Sequence, residues 1–214
     1  MTSGVRTTVL LCVAFVAVVL GALVYKATRE PLLDEATLKE QGTFLLPATR
    51  DIAPFSLTDQ NGNRFDNTNL EGHWSLLFFG FTSCPDVCPV TLSALAQVEK
   101  QLSESGRKDL LDKLRIYFVS VDPDRDSEAA IAKYVEAFSP NFTGVTGTHD
   151  ALAAFAQQVN VAFMKVPDAN GGYTIDHTGN IVIIDPNGRY AGFMKLPHEP
   201  DRILMAFKSI AGRF

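Results

Sequence analysis

Apolar and polar residues follow three successive patterns along the chain. The first is a charge-free run from Val9 to Tyr25. With Thr7 and Thr8 it approaches the ~20 residues needed to cross a bilayer. It is apolar all round, as a membrane span is and the one-sided helix of a soluble domain is not. Arg6 precedes it, and Lys26 and Arg29 follow. A cleaved signal peptide is the alternative. The run is longer than an h-region of about 7–15 residues, however, and no Ala-x-Ala site closes it. Residues 1–29 therefore read as an uncleaved single-span anchor. Residues 30–50 are charged and mixed, with Pro31 and Pro47, and read as a tether.

From Asp51 to Phe214 the periodicity alternates between strand and helix. Phe55–Asp59 and Arg64–Asp66, joined through Asn61-Gly62, predict a hairpin. Leu76–Phe81 and Arg115–Val121 are apolar runs of the kind found in strands buried on both faces. Between them Leu92, Leu95, Val98 and Leu102 recur at helical spacing, to about Ser105-Gly106. Ser127 and Thr148 are positioned to cap two further helices, with a short strand between them near Phe142–Val145. Tyr173–Ile184 reads as one strand that turns at Asp185-Pro186-Asn187-Gly188 into Tyr190–Met194. Glu199–Gly212 is the last helix. Strands interleaved with helices, then a hairpin and a helix, predict a mixed-sheet α/β domain. The order is that of a thioredoxin-like fold with an added N-terminal hairpin.

Charge narrows the function. The net charge is −5 and no Lys/Arg cluster occurs, which excludes an electrostatic nucleic-acid surface. The very short segment before the span predicts a non-translocated start and an exported C-terminal domain.

Chemistry concentrates at Cys84-Pro85-Asp86-Val87-Cys88-Pro89, between a predicted strand and a predicted helix. The third cysteine, Cys12, lies in the apolar run and reads as a small apolar filler, so Cys84 and Cys88 have only each other. Pro89 suits the first position of a helix, which places Cys88 at or just before its N-terminus. That end favours a thiolate, while Asp86 opposes it by its charge. Three readings remain open for the pair: a structural disulfide, a redox dithiol and a soft-metal site. A disulfide here would close a very small loop and restrict the unfolded chain little. Three residues separate the cysteines, where a thioredoxin-type motif has two. A peroxidatic Thr-x-x-Cys pattern is absent.

His73, His149 and His198 read as solvated loop histidines, and His177 alone as a satisfied strand histidine. Asp122, Asp124 and Asp126 alternate like the start of a calcium loop, but the sixth position is Ser127 and the twelfth Lys133. They read instead as turn and helix-start acids, with Arg125 pairing locally. Met164 and Met194 read as core packing.

Three stretches together resemble the Sco/SenC family of copper proteins involved in cytochrome c oxidase assembly. They are Gly80-Phe-Thr-Ser-Cys-Pro-Asp-Val-Cys-Pro89, Ser120-Val-Asp-Pro-Asp-Arg-Asp126 and Tyr173-Thr-Ile-Asp-His-Thr178. The resemblance covers about residues 51–210 and the single-span N-terminal architecture. It implies a site for copper, as Cu(I) or Cu(II), made of Cys84, Cys88 and His177. It further implies delivery of copper to the copper-containing oxidase subunit, with other copper chaperones or thiol reductants as partners. A membrane-anchored domain in the bacterial periplasm is the implied setting. Ligand chemistry agrees, since thiolates select Cu(I) and imidazole suits copper generally. The alternative is a thiol:disulfide oxidoreductase acting through Cys84 and Cys88 on cysteines of the copper-receiving partner. Reductases of this fold usually carry a proline where Ile175-Asp176-His177 falls, and its absence favours a metal site.

Overall fold

The computed structural model describes residues 3–28, 32–167 and 171–212. The chain divides into two compact units, residues 1–32 and 33–214. The first contains helix α1 (Ser3–Thr28), whose segment Gly4–Val24 has 21 residues and a mean hydropathy of 2.7. That is long and apolar enough to cross a membrane. The predicted junction of anchor and tether, at residues 29–30, lies outside the described residues.

The second unit begins earlier than the sequence reading placed it. Residues 33–50 are not a tether. Asp34 caps a short helix, α2 (Glu35–Glu40), through a 2.8 Å bond from Thr37 N–H. Strand β1 (Thr43–Arg50) then forms one edge of the main sheet. Pro47 accounts for the difference. A sheet tolerates proline on an edge strand, and Pro47 falls where the ladder is interrupted between Leu45 and Arg50.

The remaining strands are β2 (Leu57–Asp59), β3 (Arg64–Phe65), β4 (Trp74–Gly80), β5 (Leu114–Ser120), β6 (Thr143–Thr146), β7 (Phe163–Pro167), β8 (Tyr173–His177), β9 (Ile181–Ile184) and β10 (Tyr190–Met194). A 3-10 turn, Asn67–Leu70, follows β3. The other helices are α3 (Val87–Glu104), α4 (Lys108–Leu111), α5 (Glu128–Glu136), α6 (His149–Gln158) and α7 (Pro200–Ala211). Eight strands form one mixed sheet in the order β1-β10-β9-β4-β5-β6-β2-β3. Strands β7 and β8 form a separate two-stranded ribbon. The predicted single strand Tyr173–Ile184 is therefore two, β8 and β9, and β7 was not anticipated.

Every residue of β4 is buried, because the sheet is covered on both sides. Successive side chains point to opposite faces. Leu76 and Phe78 accordingly join one core with Ile116, Phe118 and helices α3 and α7. Leu77 and Phe79 join the other with Tyr117, Val119 and helix α6. Strands β4 and β5 run parallel and in register to their ends, where Gly80 pairs with Ser120. The cysteine turn and the loop carrying Asp122–Asp126 therefore leave the sheet side by side.

Candidate metal centre

The cysteine turn is built by the end of β4 and the first turn of α3. Helix α3 starts at Val87, so Cys88 is its second residue and Pro89 its third, two positions deeper than expected. Proline is still tolerated there, because the first four N–H groups of a helix have no intrahelical partner. Cys88 is 0 % exposed and Cys84 half-buried, and both thiols are free. Gly80 makes room for the buried sulfur. A Cβ at that position would lie 2.6 Å from Cys88 Sγ and 3.1 Å from Phe118.

His177 ends β8. Its Nε2 lies 3.7 Å from Cys88 Sγ, and one donor atom from each of Cys84, Cys88 and His177 falls within 4.8 Å of the others. A metal bonded at about 2.0–2.3 Å holds three donors about 3.5–4 Å apart, so the cluster needs little adjustment to bind one. His177 Nδ1 faces the Thr178 carbonyl at 3.3 Å. The proton on Nδ1 donates there and leaves the Nε2 lone pair turned to the sulfurs. Phe78 and Phe81 meet the imidazole edge-on, at ring-centre distances of 5.9 Å and 6.0 Å.

Burial dominates the electrostatics. It pushes the Cys88 thiol well above its ordinary range, and the Asp126 carboxylate pushes the same way, while the Phe81 backbone N–H opposes them. Desolvation thus works against the thiolate that the helix N-terminus favours at Cys88. Burial also lowers the pKa of His177, which favours the neutral imidazole a metal requires.

Among the acids of the 122–126 loop, Asp122 and Asp126 are buried, which the sequence did not reveal. Asp126 accepts from the Thr82 N–H (2.8 Å), the Thr82 hydroxyl (2.6 Å) and the Ser120 hydroxyl (2.6 Å). It thereby holds the strand end that leads into the cysteines. Asp122 pairs with Arg125, as anticipated, and also accepts from the Tyr173 hydroxyl at 2.8 Å. Asp124 is exposed and pairs with His149 and Lys165.

The other predicted residues divide. Asp176 is exposed, on the opposite face of β8 from the buried Ile175. Met194 is core, whereas Met164 is 62 % exposed on β7 and is not. His149 is exposed and His73 half-buried. His198 is not solvated. It is buried, bonded to the Thr91 hydroxyl at 2.8 Å, and desolvation pushes its pKa down to about 4. Its ring meets Phe78 edge-on, and Phe78 in turn meets His177.

Comparison with known proteins agrees with this geometry. The family pattern described as SCO1/SenC matches residues 46–212. The SCO2-like protein of Rickettsia prowazekii is 35% identical over 158 residues, covering 73% of this chain and 75% of that one. The mitochondrial SCO1 homolog of Homo sapiens is 39% identical over 141 residues, 65% of this chain and 46% of the human one, so the match spans about half of that relative. Among solved structures, Arabidopsis thaliana ScoI with copper bound superposes with a TM-score of 0.68 at 32% identity, covering 75% of this chain and 98% of that one. A thioredoxin-like sheet with two cysteines at the β4–α3 junction and a histidine brought to them by β8 thus accompanies a family match over most of the folded unit, and the chain belongs to the SCO1/SenC family.

Proposed function

We propose that the protein carries copper on Cys84, Cys88 and His177 and delivers it to the copper-containing subunit of cytochrome c oxidase during assembly. The observation that carries this reading is the convergence of two sulfurs and one imidazole nitrogen within 4.8 Å. Two thiolates select Cu(I), and the imidazole accommodates either oxidation state. A copper-bound structure of a family member supports copper as the metal. Helix α1 supports a single-pass membrane anchor, and the proposed setting is the bacterial inner membrane with residues 33–214 in the periplasm. In that oxidising compartment a dithiol needs a reductant before it can load metal, which makes a thiol reductant the natural second partner.

The test is metal loading of the full chain in detergent. With thiols reduced it takes up one copper per chain. Cys84→Ser and Cys88→Ser lose tight binding, and the disulfide form loads poorly because its sulfurs are no longer thiolates. Equal uptake by reduced and oxidised protein would overturn the assignment.

One observation favours thiol:disulfide exchange as a second reading. Both thiols are free, and the half-buried Cys84 is the more accessible of the two. Cys84 would attack a partner's disulfide and Cys88 would resolve the mixed disulfide, so the two thiols here are oxidised to a disulfide as the partner's disulfide is reduced to two thiols. His177→Ala separates the readings. Copper delivery predicts lost oxidase assembly with disulfide exchange retained. Exchange as the function predicts that assembly persists.

A further inference from the structure

The donors of the metal centre come from two pieces of chain that share no strand pairing. The cysteines follow β4 in the main sheet. His177 ends β8, whose ladder runs only to β7. The base of this ribbon closes on itself, through Thr178 N–H to the Ala162 carbonyl at 2.8 Å and Ala162 N–H to the Thr178 hydroxyl at 3.0 Å. Ile175 and Phe163 pack the ribbon on the core. Apart from those of His177 itself, the polar contacts to the rest of the domain among the described residues lie toward the ribbon's tip.

There Arg125 lies over the Tyr173 ring at 3.9 Å and donates to the Tyr173 carbonyl at 2.9 Å. The same guanidinium pairs with Asp122, which also accepts from the Tyr173 hydroxyl. Asp122 is 0 % exposed and Arg125 35 %. A buried carboxylate is tolerated only while its partners stay in place, so this latch is either closed or broken. Arg125 also faces the Phe81 ring at 5.7 Å, and Phe81 touches His177 edge-on. On the other side of the loop, Asp126 grips Thr82 at the entrance to the cysteine turn. One five-residue loop, 122–126, therefore holds both halves of the site.

We infer that Arg125, with Asp122 and Tyr173, positions His177: the latch fixes the β7–β8 ribbon so that the imidazole meets the two sulfurs. This rests on the copper reading above. With the latch closed the site presents three ligands. With it broken the cysteines remain and the imidazole is no longer held against them. The latch thus governs whether copper is retained or becomes open to an acceptor's ligand.

A double-mutant cycle on the copper-loaded full chain in detergent tests this. Arg125→Gln lowers copper affinity about tenfold or more, the usual cost of losing a partner that orients a ligand. It also weakens the imidazole nitrogen hyperfine signal of the Cu(II) form. In a His177→Ala background, Arg125→Gln has no further effect on affinity. Tyr173→Phe, which removes one hydroxyl and keeps the ring, lowers affinity about threefold and covers the case in which Arg125→Gln fails to fold. Arg125→Lys restores the charge without the planar fork and recovers only part of the loss. Unchanged affinity and nitrogen signal in Tyr173→Phe and Arg125→Gln would overturn the inference, as would additive losses in the His177→Ala background. A parent chain that binds no copper would instead overturn the copper reading. The latch is then read from the metal-free protein, as the rate at which diethyl pyrocarbonate modifies His177. That rate rises in Tyr173→Phe if the latch positions the ring, and an unchanged rate overturns it.

Discussion

The cysteine turn and the histidine ribbon meet at one point but are held in opposite ways. The turn continues from a fully buried central strand, and Asp126 fastens it with three hydrogen bonds of 2.8 Å or less. The ribbon lies outside the main sheet, has exposed residues along both strands, and apart from His177 reaches the domain's polar groups through side chains of one loop. Cys88 is therefore part of the folding core with Cys84 packed against it, and His177 comes from a ribbon outside the main sheet. In the proposed copper site, that division would separate holding the metal from completing its coordination.

The comparison breaks most visibly at Asp126. Asp126→Ala removes the only acceptor bonded to the Thr82 N–H and the buried Ser120 hydroxyl among the described side-chain contacts, and costs about 3–4 kcal/mol. Urea unfolding of residues 33–214 measures it. A loss under about 1 kcal/mol would show that the turn is no more firmly held than the ribbon.

A second test sits beneath Phe78, on the core side. His198 binds a proton near pH 6.5 when unfolded but only near pH 4 when folded. Between those values the unfolded chain binds more protons, so stability rises with pH. This group alone makes the fold about 2 kcal/mol less stable at pH 5 than at pH 7.5. His73 and His177, whose pKa values are also lowered by burial, act in the same sense. Subtracting the pH profile of His198→Gln from that of the parent isolates the His198 share, and identical slopes would refute its burial as a neutral ring.

The smallest effect sharpens the ribbon side. Lys165 and Asp124 form an exposed ion pair near the latch, and solvent-exposed pairs contribute little. Lys165→Gln leaves both the thermal midpoint and copper affinity within error of the parent. A loss comparable to that of Arg125→Gln would mean that surface charge, not the stacked guanidinium, holds the ribbon.

What was legible in the sequence follows the same division. The turn was readable because its chemistry is contiguous: an apolar strand, two cysteines, then helical periodicity. Ser127 and Thr148 cap α5 and α6 as their positions suggested. The ribbon was readable only in part: β8 lies within the predicted strand Tyr173–Ile184, and β7 was not anticipated. Phe163–Pro167 is short and largely exposed, so no alternation marked it as a strand. The break at residues 178–180 between β8 and β9 carries no charge run or proline to announce it. His177 entered through family resemblance, not through any local signal. Asp126 and His198 were missed for a shared reason. Their partners, Thr82 and Thr91, lie 44 and 107 residues away, and only the fold brings them together.

The in-register pairing of β4 and β5, which ends at Gly80 opposite Ser120, makes the centre sensitive to chain length as well as to composition. One residue inserted into either strand would carry its outgoing loop along by about 3.3 Å and turn the following side chains to the other face of the sheet. Thr82 would then miss Asp126 although every residue of both was intact. The return from α3 toward β5 is different. Gly106 turns there in open space, with φ +70° and nothing near its absent Cβ, and an insertion at that end leaves both strand lengths unchanged. Deletions and insertions should therefore be tolerated at one end of this sheet and eliminated at the other, so that the count of residues between Trp74 and Thr82 is itself part of the metal centre.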